Sequence, residues 1–306
     1  MPKKTPKVSV LMPAYNSEKY IAEAIESILN QTFADFEFII INDGSTDNTA
    51  KIVQKYAKSD KRIRFINHTK NKGLIAVLNE GLGLCVGEYI ARFDSDDISL
   101  PERFARQVEY MDAHPECGVV GAWINQFDTD IKQGNIYRYP PKSKMFDFII
   151  KGCLVAHPVT MIRKSVLDEN KIKYNPAYKY AEDYGFWIQI AQHTEIHNVQ
   201  QILLNYRWYG DNISIVHSQE QSKCTEQIRR DALQKMIACP NELTKLLRMT
   251  RELNERFYLF RFLPIIRRKQ YSITKTKYYL FEKIPLIKEQ DGKIYLFECI
   301  KIGCTK

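Results

Sequence analysis

The chain has 306 residues, 44% apolar and 26% charged, a globular composition that excludes general disorder. Without a run of eighteen apolar residues, no spanning helix is expected. The net charge of +9 is confined to one end: residues 1–217 balance 26 basic against 26 acidic side chains, whereas residues 218–306 carry 19 against 10. Such asymmetry points to an anionic partner for the tail, either a membrane surface or nucleic acid.

Residues 1–6 are basic but lead into a strand, not into a secretory apolar region. Residues 8–12 read as that first strand, ended by Pro13-Ala14-Tyr15-Asn16. Tyr20, Ile21, Ala24, Ile25, Ile28 and Leu29 then recur at helical spacing. Residues 37–42 form a nearly continuous apolar strand, as expected when both faces of a parallel sheet are covered. It runs into Asp43-Gly44-Ser45-Thr46-Asp47, and a helix with Ile52, Val53 and Tyr56 inward follows. Residues 62–66 are a third strand, residues 74–84 a third helix and residues 87–91 a fourth strand. Alternating strands and helices predict a parallel sheet with right-handed crossovers, and ligands there bind beyond the carboxyl ends of the strands.

At one such end stands Arg92-Phe93-Asp94-Ser95-Asp96-Asp97, with Ser99 as expected N-cap of the next helix and Pro101 in its first turn. Three carboxylates in four positions repel one another unless a cation sits among them, and Mg2+ or Mn2+ takes carboxylates together with phosphates. Taken alone, such a cluster is more often a solvated acidic turn capping a helix. Asn16 and Asp43 at neighbouring strand ends turn the reading towards a site.

Further along, residues 117–127, 134–139 and 159–163 read as strands, and residues 152–158 return polar groups towards the site. Tyr180-Ala181-Glu182-Asp183 opens a helix carrying Phe186, Trp187, Ile190 and Ala191, and residues 196–208 supply one or two closing strands. Beyond residue 217 the pattern becomes basic and amphipathic, with a stripe of Leu243, Leu246, Leu247, Leu253, Phe257 and Phe260. Residues 277–284 recur as 293–300, identical at six of eight positions, and Asp291-Gly292 between the copies predicts a small hairpin. Seven scattered cysteines without a CxxC pair read as free thiols of a reducing cytosol.

Residues 8–16, 42–47, Asp94-Ser95-Asp96-Asp97 and Glu182-Asp183 together resemble the family 2 glycosyltransferases, over about residues 7–210. The resemblance implies a GT-A fold, an α/β domain with a Rossmann-like, mostly parallel sheet flanked by helices, here at 1–217. Residues 218–306 are then a basic helical extension ending in a small β element. It also implies an inverting transfer from a UDP-sugar to a glycan or lipid-linked acceptor, assisted by Mn2+ or Mg2+. In family members Pro13, Ala14, Tyr15, Asn16 and Asp43 would hold the nucleobase, Asp96 the ribose, and Asp97 with Asp96 the metal. Asp94 and His157 would face the donor sugar, and Asp183, beside Glu182, would be the catalytic base. Asn71, Gly73 and Asn79 fall where an Asn/Gly/Arg run touches the donor. Asn79 stands where arginine is frequent, and Arg92 is the alternative source of positive charge.

The tail resembles that of bacterial lipopolysaccharide and capsule transferases, which implies a cytoplasmic enzyme peripheral to the inner membrane face. Two other classes compete. A sugar nucleotidyltransferase would need a glycine-rich phosphate loop, and the first turn holds no glycine. A protein binding nucleic acid through the tail would need a module such as paired metal ligands or an RNP-type strand, and neither pattern occurs, so no nucleic-acid partner is expected.

Overall fold

The computed structural model describes residues 5–209 and 216–237, and five strands between residues 266 and 304. Its first half alternates as read: β1 (Val8–Ala14), α1 (Ile21–Leu29), β2 (Phe36–Asp43), α2 (Thr49–Ser59), β3 (Ile63–His68), α3 (Leu74–Leu84) and β4 (Tyr89–Arg92). These four strands pair in parallel in the order β3-β2-β1-β4. The run Phe38 to Ile41 is buried throughout because helices cover both faces of β2. Ile21, Ala24, Ile25 and Ile28 put the buried stripe of α1 on that core.

The second half adds β5 (Ile98–Ser99), α4 (Arg103–Ala113), β6 (Cys117–Phe127), β7 (Asn135–Tyr137), β8 (Lys142–Ser143) and α5 (Met145–Lys151). It continues with β9 (Met161–Arg163), α6 (Lys164–Asn170), α7 (Glu182–Ile190), β10 (Glu195–Arg207) and α8 (Ser218–Ile237). The sheet extends as β4-β9-β6-β10-β5, with β9 antiparallel to both β4 and β6, and β6 parallel to β10. The result is an α/β fold with a mostly parallel sheet flanked by helices.

Two local expectations are corrected. Ser99 is not an N-cap: it pairs with Leu204 in β5, and α4 is capped at Glu102, so tertiary pairing overrides the serine's local preference. The first strand runs through Pro13 and Ala14 instead of ending at Met12.

The chain divides into two compact units, 1–229 and 230–306, a division that falls inside α8. In the second unit β11 (Ile266–Ser272), β12 (Lys275–Leu280), β13 (Ile284–Gln290), β14 (Lys293–Leu296) and β15 (Ile300–Cys304) form an antiparallel sheet in sequential order. This is larger than the expected hairpin. The first halves of the two repeat copies lie on β12 and β14, each paired to β13 and not to one another. In this register Lys269, Lys277, Lys288, Tyr295 and Lys301 stand opposite one another in one row across all five strands. The expected stripe from Leu243 to Phe260 lies outside the described residues. Among the described residues no helix is long and apolar enough to cross a membrane.

The packing of α3 on β1 sets a test of the core. A Cβ at Gly81 would come 2.2 Å from Leu11 Cδ1, whereas one at Gly83 would meet nothing within 4 Å. Gly81→Ala should therefore destabilise by about 1–3 kcal/mol through overpacking. Gly83→Ala should stabilise by roughly 0.5–1 kcal/mol through helix propensity. Chemical denaturation of the two variants should show shifts of opposite sign.

Candidate functional site

β1 and β2 end side by side, with Ala14 opposite Asn42. Leu11 accepts from the Phe93 N–H at 3.0 Å and so faces β4. Pro13 has the same parity and turns its donor-less nitrogen to where β4 has already left the sheet. Pro13 and Ala14 are buried, so of the predicted quartet they offer backbone alone, while Tyr15 and Asn16 are exposed. Asn16 holds a left-handed φ of 47°, which asparagine tolerates. Its amide oxygen accepts the Thr46 N–H at 2.9 Å and its own N–H donates to Ser45 Oγ at 2.9 Å.

Asp43 is buried beside this turn. Its Oδ1 accepts the Lys72 N–H at 2.7 Å and its Oδ2 the Gly73 N–H at 2.9 Å. The approach depends on Gly44 (φ 70°), where a Cβ would fall 2.5 Å from the carbonyl carbon of Lys70. Each Asp43 oxygen retains capacity for a further donor.

β4 ends at Arg92, and the chain then turns through the acidic loop into β5. One oxygen from each of Asp94, Asp96 and Asp97 lies within 4.8 Å of the others. Asp97 is buried; its Oδ1 accepts the Arg207 N–H at 2.8 Å, and its Oδ2 has no hydrogen-bond partner. Asp96 Oδ2 accepts from the Tyr209 hydroxyl at 2.8 Å. The buried Arg92 guanidinium ion-pairs with Asp94. Burial and then the charge of Asp94 push Asp96 up to about 6. Burial, then Asp96 and Asp94, push Asp97 well above the usual carboxylate range. A hard cation would relieve both the repulsion and the orphaned oxygen, so these residues fit Mn2+ or Mg2+ held by Asp97 and Asp96.

Glu182 and Asp183 form the first turn of α7, partly exposed, after Tyr180 in a left-handed conformation of φ 68°. Asp183 Oδ1 accepts the N–H of Tyr184 at 2.7 Å. Burial and then Asp183 raise Glu182 to about 7, and burial raises Asp183. The fields of Arg92 and Asp94 reach both. Buried Phe186 and Trp187 anchor the helix, and Tyr174 stacks on Phe186 with ring centroids 3.9 Å apart. His157 is buried with Nε2 2.8 Å from the Tyr174 hydroxyl; burial and then Arg92 hold its pKa well below the usual value.

The predicted residues thus fall into two linked groups. Asp94, Asp96 and Asp97 meet directly, and Glu182, Asp183 and His157 share the field of Arg92. Tyr15, Asn16 and Asp43 stand at the neighbouring strand ends, tied to the acidic loop by Ser17 Oγ and Ser95 Oγ at 2.7 Å. Asn79 commits its amide to the backbone of Tyr174, with both hydrogen bonds at 2.9 Å, while the structure puts Arg92 among the carboxylates. Sequence reasoning missed Arg207, Tyr209 and Tyr174. The run Tyr206-Arg207-Trp208-Tyr209 at a strand end was the available signal for the first two.

Residues 9–170 match the family described as Glycosyl transferase family 2. A Haemophilus influenzae protein named Uncharacterized glycosyltransferase is 37% identical over 245 residues, 74% of this chain and 73% of that protein. The O-antigen biosynthesis glycosyltransferase WbnJ of Escherichia coli is 34% identical over 206 residues, 65% of this chain and 79% of that protein. Among solved structures, S. aureus TarS 1-349 in complex with UDP-GlcNAc superposes with a TM-score of 0.61 at 22% identity. That likeness in fold covers 72% of this chain and 65% of the TarS chain.

The raised carboxyl groups make stability depend on pH. Glu182 moves from 4.5 to about 7 and Asp96 from 3.8 to about 6, so the folded chain keeps protons that the unfolded chain releases in that window. Their contribution is complete below the unfolded values and is lost as pH rises through the folded ones. In metal-free buffer the melting temperature should therefore carry a downward component between about pH 4.5 and about pH 7, and Glu182→Gln should flatten it. An unchanged slope in that variant would assign the dependence elsewhere.

Proposed function

The chain belongs to glycosyl transferase family 2 and is a glycosyltransferase; on that premise we propose that it inverts the anomeric carbon of a UDP-sugar while passing the sugar to a saccharide or lipid-linked glycan. The observation that carries this reading is the buried, unpartnered Oδ2 of Asp97 inside a cluster of three carboxylates. The complex of TarS with UDP-GlcNAc supports the choice of donor, and the O-antigen role in the name of WbnJ supports a cell-surface glycan product.

Tyr15 stacks on the base, while Asp43 accepts a ring N–H on the free capacity of its oxygens. An unpaired buried acceptor costs about 1–3 kcal/mol, which selects uracil over cytosine. Asp96 reaches the ribose, and Asp94, held by Arg92, faces the donor sugar with His157. Asp97 and Asp96 would hold Mn2+ or Mg2+, which when bound would supply Lewis-acid neutralisation of charge on the diphosphate. The acceptor hydroxyl attacks the anomeric carbon from the face opposite UDP, and Asp183 takes its proton. Burial supports that role by raising the proton affinity of this carboxylate. Glu182, beside it, orients the acceptor.

Three measurements test the assignment. UDP should raise the melting temperature with Mn2+ present and not with EDTA, by mass action on the folded state. Asp97→Ala should abolish that metal dependence; equal stabilisation by UDP under both conditions in the wild type would sink the metal role. Asp183→Asn should lower turnover by about 10²–10⁴-fold with donor affinity nearly unchanged. Near-normal turnover there, or a product that retains the donor's configuration, removes Asp183 as the base.

The second unit, in this reading, docks the enzyme on the anionic inner face of the cytoplasmic membrane. Support comes from the charge excess beyond residue 217 and from the lysine row across β11 to β15. Each basic residue near such a surface contributes roughly 1 kcal/mol. The full-length chain should sediment with phosphatidylglycerol-containing vesicles at low salt and be released at high salt. Changing Lys269, Lys277, Lys288 and Lys301 to glutamine should abolish sedimentation with UDP binding intact. Indifference of the wild type to such vesicles at low salt defeats the docking role.

A further inference from the structure

Arg103, the first residue of α4, is fully buried, and among the described residues no carboxylate lies within ion-pair distance of it. Its Nη2 donates to the carbonyls of Arg92 at 2.7 Å and Thr160 at 3.2 Å, its Nε to Gln107 Oε1 at 3.1 Å, and its Nη1 to nothing. Gln107, also buried, passes the brace on to the carbonyls of Val159 at 2.6 Å and Val120 at 3.2 Å. The Thr160 carbonyl takes the Arg92 N–H as well, at 3.0 Å. All this converges one residue beyond Ala91↔Met161, the last pair of the β4–β9 ladder, where the acidic loop leaves the sheet.

A buried cation without an ion-pair partner is expensive, and an apolar side chain of similar volume would fill the place without desolvating a charge. The penalty falls at the root of the acidic loop, and the charges that bear favourably on Arg103 are those of Asp97 and Asp94. A local rule broken in an otherwise consistent interior is expected where a site needs it.

We propose that Arg103, braced by Gln107, is a positioning residue for the acidic loop: it ends the β4–β9 ladder at Arg92 and holds Asp94, Asp96 and Asp97 together as a preformed cation site. Arg103 itself touches neither donor nor acceptor. It acts through the backbone of Arg92 and as a fixed counter-charge behind the carboxylates.

The test uses the full-length chain and two readouts, of which the metal arm rests on the reading of the previous section and the exchange arm does not. Binding of Mn2+ alone, followed by electron paramagnetic resonance, should weaken by about tenfold or more in Arg103→Met, as for loss of a supporting residue behind metal ligands. Arg103→Lys, which keeps the charge and one donor, should recover most of that loss. Removing a positive charge that merely repelled the cation would instead tighten binding, and that result overturns the proposal. In metal-free protein, amide hydrogen exchange of residues 93–97 should accelerate by about tenfold in Arg103→Met, with β2 and β3 unchanged. Unchanged exchange there in a folded variant also overturns it. Failure of the wild type to bind Mn2+ would reject the metal reading and leave exchange to decide. Should Arg103→Met not fold, Gln107→Met keeps the charge and loses the brace, and must show the same acceleration to a smaller degree; no acceleration defeats the proposal.

Discussion

Everything at the site depends on one buried guanidinium set among carboxylates. Arg92 ends β4 with almost no exposure and contacts Asp94. Burial works against its charge, but Asp94, followed by Tyr174 and Asp97, outweighs that effect and raises its pKa. Two unit charges 4 Å apart interact by about 4 kcal/mol at an effective dielectric of 20, so each close pair of like-charged aspartates is a serious liability. Arg92 offsets part of it from below the loop. The rest persists as raised proton affinities and as the unpartnered oxygen of Asp97, an imbalance that a bound cation would relieve.

Topology brings the groups within reach. β1, β2 and β4 are parallel neighbours, so their carboxyl ends open on the same edge and Asn16, Asp43 and Asp94 need no long excursions to meet there. The order of the sheet then changes: β9 enters antiparallel beside β4, and its preceding turn delivers His157 to the same edge. α7 adds its acidic first turn, where the positive end of the helix dipole favours carboxylates.

The parts of this design that sit close together in sequence could be read from it. The β–α alternation, the Asp-Gly turn and the Asp94–Asp97 loop each lie within a few residues, and their chemistry is local. Ser99 was misread because a two-residue strand is defined by its partner Leu204, not by its own propensity. Arg207 and Tyr209 were passed over for the same reason, since their meaning lies in contacts to Asp97 and Asp96 across 110 and 113 residues. Arg103 was not singled out in the sequence, because burial without an ion-pair partner leaves no trace in a sequence pattern. In the second unit the repeat was legible and its pairing was not: near-identical segments share a strand pattern, which does not say that β12 and β14 each pair with β13.

The closure of the acidic loop by β10 has a consequence for how the enzyme comes into being. Local β–α units form early in folding, whereas contacts of high sequence separation form late. A nascent chain that has produced β1 to β5 already holds Asp43 and all three loop aspartates, yet Asp97 lacks the Arg207 N–H and Asp96 lacks the Tyr209 hydroxyl until the strand ending at Arg207 docks. Closure over the acidic loop is thus expected to come late. For the same reason a segment ending at residue 170, where the family match stops, is not an exchangeable module. A chimera joining this amino-terminal part to a relative's remainder would inherit the aspartates without the strand end that closes over them.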